Sequence, residues 1–365
     1  MKECRAIGPN LKTYYYYTNE MADNSEAKGV IVIATGIEGT GALYDEIGDY
    51  LDSKGFAMYA IDELGYGKTG KVQKKIYKSW NSKSFHFASY NIHALSVFAK
   101  SKHQNVPLYL IGNDFGAMLS LYLIREFPEV VDKVVTIGWG APRARDFGLF
   151  FRAWIRKLFL FDENASKGAH RAENSGLGLR FERGEKYAWL SSDENQVKKI
   201  KDAKFIDEVG TVGHYFHYNA RRIRTPYFMR MKKTDRTTPM LFVSGAQDLF
   251  TGRGLSTKVL EKFYKSRKFT NVESLIVEGR HELLFETNRF ENVDTILNWL
   301  TNNSTNMSEV KNDENIEISI VGAKKEEVIY EEKDVEVVDV QVHTNNHMLQ
   351  EAEEDLLIKI NKEQK

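Results

Sequence analysis

Residues Leu108–Ala117 read LYLIGNDFGA, and the reading of the whole chain starts from them. The run of Leu, Tyr and Ile has the length and composition of a buried strand. It enters Gly112, Asn113, Asp114, Phe115 and Gly116, then a helical pattern, AMLSLYLIREF, that stops at Pro128. A strand, Gly-X-Asp-X-Gly and a helix in direct succession form the frame of a nucleophile elbow. The glycines are needed because the turn is sharp and strand and helix pack closely on it. The middle residue, Asp114, is lifted to a helix N-terminus, where backbone N–H groups can stabilise an oxyanion. Aspartate is also a good helix cap, so the elbow reading needs partners elsewhere in the chain.

Outward from this stretch, further apolar runs read as strands: Val30–Ala34, Ala57–Ile61, Val134–Ile137, Met240–Val243 and Leu275–Val277. Helical spacing recurs at Arg253–Tyr264 and Asn292–Leu300. The alternation predicts an α/β fold, a mostly parallel sheet flanked by helices on both faces. Tyr14–Tyr17 reads as an edge strand. The rhythm fails from 141 to 238, where aromatic and basic residues crowd together, and resumes at Pro239. An inserted helical lid over the strand ends is expected there. The core is then 1–140 with 239–302, the lid 141–238, and 303–365 an acidic, flexible tail.

Hydrophobic residues make up 42% of the 365 and charged residues 28%, which excludes disorder throughout. No apolar stretch is long enough for a membrane-spanning helix. Met1–Tyr17 lacks the apolar core of a signal peptide, so a cytoplasmic protein is expected. The single cysteine, Cys4, excludes an internal disulfide and a cysteine-based metal site. The zero net charge is uneven. Residues 303–365 hold 7 lysines and 16 acidic residues, a net of −9, leaving 1–302 at +9. A basic body suits nucleic acid or an anionic membrane. Without a basic block, zinc signature or RNA-binding motif, nucleic acid is not expected as a partner. In Asp146–Asp162, DFGLFFRAWIRKLFLFD, a narrow polar stripe with Arg152, Arg156 and Lys157 interrupts a broad apolar surface. It reads as a helix packed on the core and also as a substrate mouth. Phe150, Trp154 and Leu158 are then the candidate substrate contacts, and the basic residues a peripheral contact with anionic membrane.

Two residues join Asp114 in chain order. Asp248 follows a strand in VSGAQD, at the strand end where such sheets build their sites, with Asp235 a rival. His281 lies in EGRHELLFE, after the next strand. Nucleophile, acid and histidine in that order match α/β-hydrolases. Ala34–Thr40, ATGIEGT, suits the loop that donates the second oxyanion N–H, from Ile37 beside that of Phe115.

With these segments in order, and with IDELGYGKTG and WLSSDENQV, the chain from about Met1 to Asn302 resembles the monoacylglycerol lipase and lysophospholipase group of α/β-hydrolases, of serine aminopeptidase S33 type. The resemblance implies hydrolysis of carboxylic esters of small lipid-like molecules. His281 is then the general base, oriented by Asp248, and no cofactor is required. The chain departs from that group at Thr35-Gly36, where the group has His-Gly, and at Asn113-Asp114, where it has His-Ser. A carboxylate attacking an ester carbonyl forms an anhydride and must expel a poorer leaving group than itself. Asn113-Asp114-Phe115-Gly116 resembles the His-Asp-Trp-Gly elbow of the dehalogenase and epoxide hydrolase branches. There aspartate attacks saturated carbon and histidine-activated water cleaves the resulting ester. Epoxide opening also requires lid tyrosines as acids, and Tyr187, Tyr215 and Tyr218 are available. A third alternative is a non-catalytic descendant that binds a lipid or partner.

Overall fold

The apolar runs become the centre of one sheet. In the computed structural model the described residues are 1–8, 12–19, 27–36, 39–73, 79–175, 177, 181, 186–203, 208–227, 235–302, 318–319, 336–338 and 341–342. The strands are β1 (Lys2–Ile7), β2 (Thr13–Thr18), β3 (Gly29–Ala34), β4 (Phe56–Ile61), β5 (Leu108–Asn113), β6 (Lys133–Ile137), β7 (Met240–Gly245) and β8 (Val272–Val277), with short β9 (Ile318–Ser319), β10 (Glu336–Val338) and β11 (Gln341–Val342). Their order in the main sheet is β10-β1-β2-β4-β3-β5-β6-β7-β8. Only β2 runs against its neighbours, β1 and β4. Every residue of β3 to β7 is buried. Helices cover both faces, so these strands show continuous apolar runs instead of alternation.

Successive side chains point to opposite faces. Val30, Val32, Leu108, Leu110 and Val134 enter one core, under α3 (Ser82–Lys102), α4 (Phe115–Glu126) and α9 (Leu255–Ser266). Ile31, Ile33, Ile111, Val135 and Ile137 enter the other, under α1 (Asp45–Ser53) and α10 (Arg289–Asn302). A short α2 (Gly67–Val72) follows β4.

Two features depart from the sequence expectation. The Tyr14–Tyr17 strand is not at the edge, because Lys2–Ile7, whose KECRAI pattern is weak, pairs along its outer side. The long α3 carries no clear signal in the sequence. Its buried positions include Ser84, Ser89, Asn91, His93 and Ser96, so no clean apolar stripe marks it. An Asn81–Ser84 capping box starts it.

Between β6 and β7 the described residues form four helices, α5 (Ala144–Phe159), α6 (Lys167–Asn174), α7 (Glu194–Asp202) and α8 (Val212–Tyr227). After 302 only three short strands are described, of which β10 pairs in parallel with β1. The rest of the acidic segment lies outside the described residues.

The turn from β5 to α4 depends on close backbone approach. A Cβ on Gly112 would stand 2.6 Å from Ala117 Cα, and one on Gly116 would overlap the Ala34 carbonyl of β3. Gly116→Ala is therefore expected to destabilise by about 1–3 kcal/mol in urea unfolding. Gly148→Ala in α5, where a Cβ meets nothing within 4 Å, should stabilise by about 0.5–1 kcal/mol.

Candidate active site

Asp114 sits at the β5–α4 turn with φ 43° and ψ −109°. A non-glycine residue in that region costs about 1–3 kcal/mol. The turn is held by the Asp114 N–H, which donates to the Ile137 carbonyl at 2.9 Å, and by the Ala117 N–H, which donates to the Asp114 carbonyl at 3.0 Å. The turn aims the carboxylate at the loop after β8. There His281 Nε2 lies 3.3 Å from Asp114 Oδ1, while Nδ1 lies 3.1 Å from Asp248 Oδ1. All three side chains are buried.

The loop after β7 fixes Asp248, which accepts from the Phe250 N–H at 2.8 Å and the Thr251 hydroxyl at 2.9 Å. The His281 ring is flanked by Trp189 and Phe250, with centroids at 5.2 and 4.9 Å. It closes over Gly138, where φ is +68° and a Cβ would stand 3.0 Å from Cε1. Asp235, by contrast, caps its own exposed turn at Thr237.

Charge organises the site. Burial alone would lower the His281 pKa, but the charge of Asp248 and contact with Asp114 hold it well above the ordinary histidine value. Burial would likewise raise Asp114. Its hydrogen bond with His281, the charge of Arg222 and the Phe115 N–H outweigh this and keep it below the usual carboxylate value. Both shifts run in the direction that favours a charged Asp114 beside a protonated His281. Arg222 of α8 is buried against Trp139 and Phe250, 4.5 and 4.1 Å from their ring centres, with Nε 2.8 Å from Asp146 of α5.

Sequence reasoning missed two participants. Glu282 brings Oε1 to 4.0 Å from His281 Nε2, and its other oxygen accepts from Asn113 Nδ2, which also meets the Tyr44 hydroxyl at 3.2 Å. Adjacency to His281 was the available signal for Glu282. Arg222 carried none, as one arginine among several in α8. Among the described residues, Asp114, His281 and Glu282 are the group able to hold a metal ion, with ligand atoms within 4.8 Å of one another.

Of the oxyanion donors, Phe115 directs its N–H at the Asp114 carboxylate, and Ile37 lies outside the described residues. Next to that loop, Asp62 accepts from the Gly41 and Lys68 N–H groups at 2.8 and 2.7 Å. Phe150, Trp154 and Leu158 are not brought to the triad. Phe150 is half-buried against Phe216, and Trp154 and Leu158 are exposed. Helix α5 instead lines a cavity of about 410 Å³, where Leu149, Arg152, Ala153 and Arg156 face Glu173 of α6 and Tyr215 of α8.

Residues 25–288 match the family described as serine aminopeptidase, S33. Mouse protein ABHD8 is 28% identical over 126 residues, 33% of this chain and 25% of that protein. The match thus spans about a quarter of that curated relative. A thermostable carboxyl esterase from Bacillus coagulans, in complex with glycerol, superposes with a TM-score of 0.70 at 14% identity, covering 82% of this chain and 99% of the other. A soluble variant of Saccharomyces cerevisiae monoglyceride lipase superposes at 0.61 with 15% identity, covering 80% and 92%. These likenesses show the fold.

A pH prediction follows from the ion triad. His281, with its folded pKa raised, contributes stability in full below its unfolded pKa of about 6.5 and loses it as pH rises through the folded value. Asp114, with its folded pKa lowered, contributes in full above about 3.9 and loses it as pH falls through the folded value. The Tm difference between native protein and Asp114→Asn should therefore be widest between about pH 4 and 6.5. In the variant the His281 Cε1–H resonance should titrate at lower pH than in the native protein. An unchanged titration would show that Asp114 does not hold the imidazolium.

Proposed function

The chain belongs to the serine aminopeptidase S33 family of α/β-hydrolases, and from that premise we propose that it hydrolyses lipid-like substrates through carboxylate attack by Asp114 on a saturated carbon, as in an epoxide. The observation that carries this reading is geometric: a carboxylic side chain, Asp114, occupies the strained elbow 3.3 Å from His281. An ionised carboxylate is a competent nucleophile at such a carbon, and its product there is an ordinary ester.

The proton inventory closes. Attack by Asp114 breaks one epoxide C–O bond, and the released oxygen takes a proton supplied by imidazolium through Tyr218. Esterification removes the Asp114 charge and leaves His281 neutral. His281 then takes a proton from water, hydroxide attacks the ester carbonyl, and the diol leaves with Asp114 restored. The sum is epoxide plus water to diol. Tyr218 is favoured among the lid tyrosines because it is buried against Phe115, with ring centroids 5.8 Å apart, and feels the Asp114 charge. Burial keeps its hydroxyl protonated. Tyr215 is committed to His170 and the Gly210 N–H at 3.2 and 3.1 Å.

A second reading, hydrolysis of a carboxylic ester, is favoured by the fold shared with a carboxyl esterase and a monoglyceride lipase. Its difficulty is chemical, because a carboxylate is a poor acyl nucleophile and its attack on an ester forms an anhydride.

Turnover of a long-chain epoxide in ¹⁸O-water distinguishes the two. The carbon-centred route places ¹⁸O in the Asp114 peptide, and His281→Ala accumulates protein heavier by one substrate. Turnover without label would overturn it. Inertness toward the epoxide, with release of fatty acid from a monoacylglycerol, would assign the ester reading. Inertness toward both, with esterase activity gained in Asp114→Ser, would assign a binding role.

A further inference from the structure

The cavity between α5, α6 and α8 gathers polar groups that the chemistry at Asp114 does not use. Leu149, Arg152, Ala153 and Arg156 recur at helical spacing, so they share the face of α5 that lines it. Arg156 lies against Gly168 of α6, where a Cβ would stand 2.2 Å from a guanidinium nitrogen. The guanidinium thus occupies the space that a side chain would take. Among the described residues neither guanidinium has an ion-pair or hydrogen-bond partner. Asn219 of α8 adds a buried acceptor to the same cavity. It is 3% exposed, and its Nδ2 donates to the Tyr215 carbonyl at 2.8 Å, which fixes the amide and leaves Oδ1 without a partner. A buried acceptor left unpaired is costly, and a hydrogen-bond donor brought by a ligand would remove that cost. Asp114, Asp248 and His281 are not among the cavity walls.

We propose that this cavity is a second binding site, for a small hydroxy-carboxylic acid with an apolar body. Arg152 and Arg156 receive the carboxylate, since paired guanidiniums match its two oxygens. The ligand hydroxyl donates to Asn219 Oδ1. The apolar body lies against Leu149, Ala153 and Ala172. Charge selects the anion. Two guanidiniums face one acidic side chain, Glu173, which leaves an excess of one positive charge and suits a monocarboxylate better than a phosphate dianion. The first turn of α6, which no side chain caps, adds positive potential on the same side. Arg152 is exposed and Arg156 half-buried, so a soluble acid meets the cations as it enters. A cavity of about 410 Å³ is within the range of small-molecule sites. The site is independent of the chemistry at Asp114.

Isothermal titration calorimetry of the full chain tests this with three probes: 3-phenyllactate, 3-phenylpropionate, which lacks the hydroxyl, and 3-phenyllactamide, which lacks the charge. The native protein should bind 3-phenyllactate at one site, about tenfold more tightly than 3-phenylpropionate, and the amide weakly. Arg152→Gln with Arg156→Gln should weaken binding of both acids at least about tenfold while the Tm stays native, since neither side chain has a partner to lose. Asn219→Leu should bring 3-phenyllactate down to the affinity of 3-phenylpropionate. A native protein that binds neither acid, or that binds the amide as well as the acid, overturns the proposal. So does a double-glutamine variant that binds as the native protein does. Binding that survives in that variant and is lost in Asp114→Asn would place the acid at the triad, and inorganic phosphate binding more tightly than either acid would make the cavity a general anion site; each overturns the proposal equally.

Discussion

The buried contact of His281 with two acidic side chains, Asp114 at 3.3 Å and Asp248 at 3.1 Å, constrains most of what surrounds it. Charges out of water are tolerated only when paired and hydrogen-bonded. Hence the Phe250 N–H and Thr251 hydroxyl on Asp248, the Phe115 N–H on Asp114, and Arg222 brought in from α8. Arg222 ties the helices between β6 and β7 to the rest of the fold by lying over Trp139 and Phe250, and it also holds Asp146 of α5. Removing one carboxylate would unsettle the imidazolium and, with it, the packing of α8.

The same pairing bears on chemistry. Asp114 favours the protonated form of His281, and esterification of Asp114 would remove one of the charges that does so. A carboxylate in the elbow therefore suits a two-step displacement better than direct acyl transfer. The backbone strain at Asp114 has its counterpart in the neighbouring glycines, Gly112 and Gly116, which let α4 approach β5 and β3. Glu282, held by Asn113, adds a further carboxylate near Nε2. The position usually held by histidine in the related group thus serves here to orient an acid.

The insertion between β6 and β7 supplies pieces to the site and to the surface alike. Trp189 flanks the His281 ring, and the His281 and Glu282 N–H groups donate to the Trp189 and Leu190 carbonyls at 3.3 and 2.8 Å. Helix α5 divides its faces, with Leu149 and Ala153 buried and Phe151 and Leu158 exposed. Small residues face inward where α8 packs close, and the large aromatics are left outside.

By itself the sequence determined the sheet, the elbow and the order Asp114, Asp248, His281. These signals are local: strands covered on both faces need unbroken apolar runs, and an elbow pressed against neighbouring backbone needs Gly112 and Gly116. The inward position of β2 was not legible, because it depends on β1, whose polar KECRAI carries little pattern. Which face of α5 turns outward, which tyrosine from between β6 and β7 lies beside Phe115, and that Asn113 holds Glu282 from 169 residues away were decided only by the tertiary structure. Each is a contact between segments distant in sequence. A residue's own identity states what bonds it can make, but only packing decides which partner arrives.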